Sequence, residues 1–378
     1  MFRRTRRATA LLLAVIVGAC APAVPEAPPR ADGAPVPVPD ASPWRVGRGP
    51  ALPVPLANNA VAAALVDGRP RIFSFLGLGP GRDFRAITTQ AYSLDPDGTA
   101  WERLPDVPGE VGRLAATAQT IGPRVFLFGG YSVAADGRET TSPATDVYLV
   151  DERRYIRGAD APVPLDDTVS GVWRNRLIYL VSGWSTDRTV TTVQAYDPEA
   201  NRWRAATPIP GTPVFGHAGG LIDDTIVYCG GAKMLGAGGP KYGPSTECYR
   251  GDIDPADPTT IAWRAIAGHP GAPRYRAAAG AVRTATHTGI MFAGGTATPY
   301  NYNGIGYDGR PAEPEAAAWL YDVAGDRWVA GPIVDAPSMD HRGLVHAAGT
   351  WWIVGGFGRG QMVATTVTRI TASESGKD

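Results

Sequence analysis

The sequence of 378 residues has no excess of either charge and few cysteines or histidines. Its 36 basic side chains balance its 36 acidic ones, so charge indicates neither a nucleic-acid partner nor binding to a membrane surface. Only three cysteines and five histidines are present. The apolar run at 8–18 is too short to span a bilayer comfortably. Glycine and proline are abundant instead, at 47 and 35 residues.

The N-terminus has the features of a secretion signal. Four arginines among the first seven residues precede the apolar run. The following "VGAC" resembles the lipobox of bacterial lipoproteins, which implies that Cys20 is lipidated and that residues 1–19 are removed. Ala21 stands where an aspartate would indicate inner-membrane retention, so we expect an outer-membrane or cell-surface lipoprotein with its folded part in the periplasm or outside. An ordinary signal that discards Cys20 is the alternative, and the export route stays open.

Composition divides the remaining chain. The stretch 20–43 is rich in proline and alanine, which predicts an extended, semi-rigid tether. No second linker follows, so 44–372 is predicted to be one domain and 373–378 a disordered tail. The domain retains Cys229 and Cys248, which an exported compartment permits to pair.

A repeat organises the domain. An apolar strand that ends in small residues, usually Gly-Gly, recurs six times. The copies are "IFSFLGLG" (72–79), "VFLFGG" (125–130), "IYLVSG" (178–183), "IVYCGG" (226–231), "IMFAGG" (290–295) and "WWIVGG" (351–356).

Each repeat continues into a second strand, a turn and usually a tryptophan, giving about four strands in about fifty residues. The sixth copy ends before its tryptophan strand, and "SPWRVGRGP" supplies Trp44 at the other end of the chain. The sequence therefore predicts an all-β, six-bladed β-propeller whose N-terminal strand closes the last blade. The repeated Gly-Gly with downstream Tyr and Trp resembles kelch repeats across essentially the whole domain. Kelch propellers include enzymes, sugar binders and protein-interaction modules, so the resemblance leaves function open.

One mouth of the propeller carries unusual polar residues where the innermost strands begin. Aligning the six starts gives Asn59, Arg113, Thr168, His217, Arg276 and Arg342 at one position. With Arg274, this arrangement predicts a funnel for an anion, because guanidinium groups match carboxylates and phosphates. The alternative is that Arg113 and Arg276 pair with Asp166, Asp167 or Asp340 and brace the blades. Asp167 is included among the candidate ligand contacts.

Two further features belong to this mouth. Tyr300 and Tyr302 lie in a long loop whose tyrosines and asparagines are typical of a sugar site or of ordinary loop packing. Asp340 and His341, with His217 from another blade, are candidate catalytic groups because they could exchange protons near neutral pH. The acidic segment 252–257 is expected to form a turn, since it lacks the glycine and glutamate of an EF-hand. We expect no metal and no cofactor.

Two enzyme families share a kelch-type propeller. Galactose oxidase needs a copper site of two tyrosines, two histidines and a cysteine, which this sequence does not offer. The sialic acid (N-acetylneuraminate) mutarotases resemble the chain more closely, being exported six-bladed kelch proteins of about this length. That resemblance implies a carboxylate-binding cation and an acid/base glutamate in a Gly-Glu-Ala-Lys setting. Here Lys233 keeps its place, but Gly231 replaces the glutamate.

The sequence therefore predicts a propeller that binds a sialic or other sugar acid, with mutarotase or epimerase activity left open. The alternative is a surface module whose top loops bind a protein or a glycan without catalysis. We expect no nucleic-acid partner, and contact with a membrane only through the lipid. Cys229 and Cys248 lie on adjacent strands of the fourth repeat, where a disulfide would close the intervening glycine-rich loop. Two unpaired buried thiols are the alternative.

Overall fold

The structure is a computed structural model that describes residues 43–236 and 238–373. The predicted signal peptide, the lipidation site Cys20 and nearly all of the tether lie outside the described residues, as does 374–378. The described residues contain 28 strands and two short 3₁₀ helices, Phe84–Ala86 and Arg359–Gln361. No described helix is long and apolar enough to cross a membrane.

The strands run in chain order around six blades. They are β1 (Trp44–Arg48), β2 (Ala60–Val66), β3 (Arg69–Phe75), β4 (Ala91–Leu94), β5 (Trp101–Leu104), β6 (Thr117–Ile121), β7 (Arg124–Phe128), β8 (Tyr131–Val133), β9 (Glu139–Thr141), β10 (Thr145–Leu149), β11 (Arg154–Arg157), β12 (Val169–Trp173), β13 (Leu177–Ser185), β14 (Arg188–Asp197), β15 (Arg202–Ala206), β16 (Ala218–Ile222), β17 (Thr225–Cys229), β18 (Ala232–Met234), β19 (Tyr242–Pro244), β20 (Cys248–Ile253), β21 (Ile261–Ile266), β22 (Ala278–Arg283), β23 (Thr288–Ala293), β24 (Ala317–Asp322), β25 (Arg327–Ile333), β26 (Val345–Ala347), β27 (Thr350–Val354) and β28 (Val367–Ala372).

Each blade is a four-stranded antiparallel sheet, and in blades 1 to 5 the innermost strand comes first in sequence. Blades 1 to 5 are β2-β3-β4-β5, β6-β7-β10-β11, β12-β13-β14-β15, β16-β17-β20-β21 and β22-β23-β24-β25. Blade 6 is β26-β27-β28-β1, in which Trp44 pairs with Ala372 and Arg48 with Thr368. The predicted six-bladed propeller and its closure by the N-terminal strand are therefore confirmed. Closure packs the blade faces that an open array would leave exposed.

Apolar side chains fill the spaces between neighbouring blades. Phe126 and Phe128 of blade 2, for example, pack with Ile178 and Leu180 of blade 3. The innermost strands contact one another in ring order, and β2 contacts β26 to close the circle. A blade could not bury both faces alone, which is why the ring folds as one unit.

The Gly-Gly pairs have a structural role at the inner end of each blade–blade seam. The second glycine donates its N–H to the next blade, as from Gly231 to the Arg274 carbonyl at 2.7 Å and from Gly356 to the Leu56 carbonyl at 2.8 Å. A Cβ on the first glycine of these pairs would overlap the same carbonyl. The repeat therefore needs glycine because two backbones meet there.

The tryptophan of the outermost strand has the corresponding role at the outer end of the seam. Its indole N–H donates to a carbonyl of the preceding blade, as from Trp203 to Ala159 at 2.8 Å and from Trp263 to Thr207 at 3.0 Å. In blade 2, the Tyr155 hydroxyl makes the equivalent bond to Pro105 at 3.0 Å. Both repeat signatures thus join blades to one another.

The structure joins Cys229 to Cys248 by a disulfide. The two residues face each other directly across β17 and β20, and both are buried. The bond closes the loop 230–247, which contains β18 and β19 and lies on the same face as the other loops that follow the Gly-Gly pairs. We call this face the crown face.

Candidate functional site

Six residues with left-handed backbone conformation surround the axis just before the innermost strands. They are Asn58, Ala115, Asp167, Gly216, Arg276 and Asp340, with φ between 51° and 70°. Hydrogen bonds connect them around the ring, as from Gly216 N to the Asp167 carbonyl at 2.9 Å and from Arg276 N to the Gly216 carbonyl at 2.7 Å. These six positions are structurally equivalent, because each follows a residue that forms the same isolated bridge to the crown loops.

This ring corrects the alignment made from the sequence. Asn59, Thr168 and His217 do occupy one equivalent position, directly after the left-handed residue. The position is filled by Ala116, Ala277 and His341 in the other three blades, not by Arg113, Arg276 and Arg342. The connections from the outermost strand of one blade to the innermost strand of the next differ in length by one or two residues. Alanine and glycine also stand on both sides of the strand start, so the sequence has no unique residue on which to align the repeats.

The side chains of the ring form a layer of ion pairs across the axis. Arg276 donates from Nε and Nη2 to Asp167 at 3.1 and 2.6 Å, and from Nη1 to Asp340 at 2.9 Å. The Asn58 amide also donates to Asp340, at 3.1 Å. Arg342 of blade 6 donates from Nη1 to Asp167 of blade 3, which stands on the opposite side of the ring. We call Arg276, Arg342, Asp167 and Asp340 the ion-pair layer.

Burial and pairing set the charges in this layer. Although burial alone would raise the pKa of Asp167, the Arg276 and Arg342 guanidiniums hold that pKa below its ordinary value. Burial raises the pKa of Asp340 despite its contact with Arg276. All three nitrogens of the Arg276 guanidinium have carboxylate partners, so the charge of Arg276 is matched within the chain. It braces blades, as one of the two sequence interpretations proposed.

Below the ion-pair layer, the innermost strands enclose a central channel of about 300 Å³. Its wall consists mainly of alanine, glycine and valine, which leave the space open. The polar groups that line the channel near the layer are Thr168, His217, His341 and Arg342. Gln119 and Ser170 lie further along it and donate and accept one hydrogen bond at 2.9 Å.

Arg342 differs from Arg276 in what its guanidinium leaves free. Only Nη1 is bonded, to Asp167. Nε and Nη2 are buried and have no hydrogen-bond partner among the described residues. These two N–H groups form one edge of the planar guanidinium, the edge that binds a carboxylate with two parallel hydrogen bonds. A buried donor without a partner is costly, so the arrangement favours an acceptor supplied from outside the chain.

Two of the three imidazoles that line the channel, those of His217 and His341, are neutral at neutral pH. Burial lowers the pKa of His217 from its ordinary value of 6.5 to about 4, and that of His341 to about 3. His217 bonds through Nε2 to the Val181 carbonyl at 2.8 Å, so Nε2 donates. Its Nδ1 is then an acceptor, buried and without a partner among the described residues. His341 Nε2 bonds to the Ser338 hydroxyl at 2.9 Å.

The other predicted ligand contacts lie outside the channel wall. Arg113 pairs with Asp146 of its own blade at 2.6 Å, and the amide of Asn59 donates to Ser74 at 2.8 Å. Arg274 is buried, with Glu315 at 3.9 Å. Lys233 lies on β18 and lines neither the channel nor the crown pocket described below.

The two predicted loop tyrosines likewise stand apart from the channel wall. Tyr300 is completely buried and packs against Tyr275 and Phe357, while Tyr302 is half-buried. For these tyrosines, as for Asn59, Arg113, Arg274 and Lys233, ligand contact stays a prediction.

Gly231 cannot simply be replaced by the glutamate found in the mutarotases. Its φ is +86°, in the left-handed region that favours glycine. A Cβ there would lie 2.8 Å from the His217 Cβ, the His217 N and the Phe215 carbonyl oxygen. The backbone around residue 231 is therefore shaped for a residue without a side chain.

A second cavity, of about 200 Å³, lies on the crown side of the ion-pair layer. We call it the crown pocket, and its lining residues are Tyr131, Glu139, Asp166, Asp167, Trp184, Phe215, Lys241, Tyr242, Arg276, Asn301 and Tyr307. Sequence reasoning missed it as a site, although it contains Asp167 and Arg276. A signal was present: Tyr131 and Trp184 directly follow the Gly-Gly and Ser-Gly pairs of two neighbouring blades.

Across 43–236 and 238–373, no group of three or more His, Cys, Asp or Glu side chains could hold a metal ion.

No protein-family model matches the chain. Curated relatives match parts of it: Kelch-like protein 15 of Gallus gallus is 30% identical over 107 residues, which cover 28% of this chain and 22% of that protein. A putative F-box/kelch-repeat protein of Arabidopsis thaliana is 28% identical over 157 residues, 39% of this chain and 44% of that protein.

The chain thus spans less than a quarter of the first curated relatives it matches. A solved structure, titled "Structure of YjhT", is similar over most of both chains. It covers 86% of this chain and 98% of its own, with a TM-score of 0.68 and 17% sequence identity. At that identity the likeness concerns the fold alone. Together with the six blades, these similarities make the chain a kelch-type six-bladed β-propeller.

Proposed function

We propose that this kelch-type propeller binds a small acidic ligand, such as a sialic acid or another sugar acid, in its central channel beside the ion-pair layer. The observation that supports this most is the free Nε/Nη2 edge of Arg342. A ligand carboxylate there would satisfy both donors at once. The ion-pair layer contributes by holding the guanidinium in place through Nη1.

The neighbouring groups favour a hydroxylated acid over a simple one. His217 Nδ1 offers an acceptor that a ligand hydroxyl can satisfy, because the imidazole is neutral. The channel wall is narrow and made of small residues, and about 300 Å³ is at the lower end of typical ligand sites. A monosaccharide acid combines a carboxylate with hydroxyl donors in a compact molecule.

Isothermal titration calorimetry tests this with N-acetylneuraminate, galacturonate and the uncharged sugar N-acetylmannosamine. We expect at least one of the acids to bind and the uncharged sugar not to bind. Arg342→Gln should weaken acid binding about tenfold or more, since charge-assisted hydrogen bonds contribute about 1.5–3 kcal/mol. Arg113→Gln is the matched control, because Arg113 is buried near the same mouth but pairs with Asp146 away from the channel.

The proposal fails if neither acid binds, or if Arg342→Gln and Arg113→Gln alter acid binding equally. The surface-module interpretation would then be preferred, with the arginines serving only to brace the blades.

Mutarotase activity is the finer hypothesis from the resemblance. Anomer exchange needs one group that donates a proton and another that removes one. With Gly231 in place of the glutamate, the remaining candidates are His217, His341, Asp340 and Glu247, whose carboxylate accepts a hydrogen bond from the Thr212 hydroxyl at 2.8 Å. Both imidazoles are neutral, and the carboxylate of Asp340 accepts hydrogen bonds from Arg276 and Asn58. None of these three groups is therefore well placed both to donate and to remove a proton. We therefore expect binding without acceleration: exchange of N-acetylneuraminate anomers, followed by NMR, should match the rate in buffer. Acceleration that His341→Ala abolishes would contradict this.

Export and lipid attachment complete the proposal. The tether and Cys20 would hold the propeller at an outer membrane or cell surface, where acidic sugars from outside the cell can reach it. Mass spectrometry of the mature N-terminus should find a lipid-modified Cys20, and Cys20→Ser should release the propeller in soluble form. An unmodified N-terminus at residue 21 or 23 would contradict the lipid anchor while leaving export intact.

A further inference from the structure

The crown pocket contains a carboxyl group that the chain leaves without a cation. Asp166 is 3% exposed, and the hydrogen bond to its side chain comes from the Thr141 hydroxyl at 2.8 Å. Among the described residues no arginine, lysine or histidine lies within ion-pair distance of it. The two arginines nearby are bound to its neighbour Asp167. Buried carboxylates normally have a positively charged partner or take up a proton.

The remaining walls of the crown pocket are aromatic. Trp184, Phe215 and Tyr242 meet edge to face, with ring centroids 5.1–5.8 Å apart. Tyr307 joins them at 4.8 Å from Tyr242. The Tyr242 hydroxyl is buried and has no hydrogen-bond partner among the described residues. The pocket therefore combines aromatic rings, an unpaired carboxyl and a free hydroxyl.

The chain's own lysine shows what these rings attract. The ammonium of Lys241, an exposed residue at the rim, lies 5.0 Å from the ring centre of Tyr242 and 5.9 Å from that of Trp184. Aromatic faces attract cations through their quadrupole, most strongly where water is excluded. Lys241 does not reach Asp166, so the carboxyl in the deeper part of the pocket stays without a cation, and burial raises its pKa well above the ordinary value.

We propose that the crown pocket is a second binding site, which takes a small organic ammonium ion between the aromatic walls and Asp166. The volume of about 200 Å³ suits a small amine better than an oligosaccharide. An uncharged sugar could stack on the same rings but would leave Asp166 without a counter-charge. A free anion is disfavoured because Arg276, which lines the deeper wall, is already paired with Asp167 and Asp340.

Calorimetry with choline and its uncharged isostere 3,3-dimethylbutan-1-ol tests the charge requirement directly. We expect choline to bind and the alcohol to bind at least tenfold more weakly. Asp166→Asn and Trp184→Leu should each weaken choline binding about tenfold. Equal binding of choline and the alcohol would overturn the proposal.

The effect expected of Lys241→Met is tighter binding, which a folding defect could not produce. Because the Lys241 ammonium occupies the ring faces and repels an incoming cation, removing its charge should tighten choline binding several-fold. The matched control is Lys233→Met, which removes a lysine charge from the same loop outside the pocket. Unchanged or weaker binding of choline to Lys241→Met would overturn the proposal.

The outcome is distinguishable from that of the channel proposal. Arg342→Gln removes the channel contact and should leave choline binding within about twofold of the wild type. A further titration uses n-butylammonium, a primary amine like the side chain of lysine. Tighter binding of n-butylammonium than of choline would assign the site to primary amines, whereas tighter choline binding assigns it to methylated ones. Failure of both amines would overturn the proposal.

Discussion

The central channel and the crown pocket lie on opposite sides of one ion-pair layer, yet their chemistry is opposite. The channel has walls mainly of alanine, glycine and valine, the buried neutral imidazoles of His217 and His341, and one guanidinium edge without a partner among the described residues. The crown pocket has aromatic walls and a carboxyl without a cation. The same six repeats build both sites. What differs is the residue type at the few positions that the blade–blade contacts leave free.

The residues that recur in the repeats determine the propeller fold, whereas the positions that depart from the repeat determine the two cavities. Gly-Gly pairs and outer tryptophans recur because they make similar blade–blade contacts in most seams, although Leu-Gly and Ser-Gly replace Gly-Gly in blades 1 and 3 and Tyr155 replaces tryptophan in blade 2. The ion-pair layer arises from three blades only, and its residues neutralise one another. Each cavity retains polar groups that the described residues leave unmatched: Arg342 and His217 Nδ1 towards the channel, and the Tyr242 hydroxyl and the Asp166 carboxyl, which has no cation, towards the crown.

The largest expected effect comes from breaking the layer that separates the two cavities. Arg276→Met would leave Asp167 and Asp340 buried without their shared partner, so we expect a loss of about 3–5 kcal/mol in unfolding free energy. Chemical denaturation measures it. Arg283→Met, which removes an exposed pair with Asp223, should cost less than about 1 kcal/mol. Equal losses in the two variants would contradict the layer's structural role.

Removing the disulfide should weaken binding in the crown pocket but not in the channel. Replacing both Cys229 and Cys248 with alanine releases the loop that carries Lys241 and Tyr242, and should lower the unfolding free energy by about 3 kcal/mol. Choline binding should weaken, whereas the channel is built from the innermost strands and should keep its affinity for acids. Calorimetry on the folded variant at low temperature measures both. Equal weakening of both ligands would contradict the separation.

The neutral imidazoles give the channel a distinct dependence on pH. The pKa of His217 is about 4 in the folded state and 6.5 ordinarily, so the unfolded chain binds a proton between these values and the folded chain does not. Stability should therefore fall as pH decreases from 6.5 towards 4. In His217→Gln that fall between pH 6.5 and 4.5 should shrink by about 2 kcal/mol. The control His287→Gln, outside the channel, should keep the wild-type pH dependence.

The smallest expected effect comes from changing the shape of the side chain at position 342 while keeping its positive charge. Arg342→Lys keeps a positive charge beside Asp167 but lacks the planar edge, so acid binding should weaken about tenfold with little change in choline binding. Full acid affinity in this variant would show that charge alone, and not the Nε/Nη2 edge, recruits the ligand. Calorimetry under identical salt conditions makes the comparison.

The sequence could predict the blades and their closure because each depends on a local, repeated pattern such as "IVYCGG" or on Trp44 at the opposite end from the incomplete sixth repeat. It offered the pairing of Arg276 with Asp167 or Asp340 only as the alternative to an anion funnel, because Arg276 and Asp167 are 109 residues apart and nothing local links them. It also placed Arg113 and Arg342 at one position with His217, since alanines and glycines flank every strand start. The crown pocket escaped notice because its aromatic residues come from several different loops.

The most direct test of the account is one calorimetric matrix: wild type, Arg342→Gln and Asp166→Asn, each titrated with the bound sugar acid and with choline. The account predicts that Arg342→Gln loses the acid and keeps choline, and that Asp166→Asn loses choline and keeps the acid. If each substitution weakens both ligands alike, or neither, the claim of two oppositely charged sites on one ion-pair layer is contradicted.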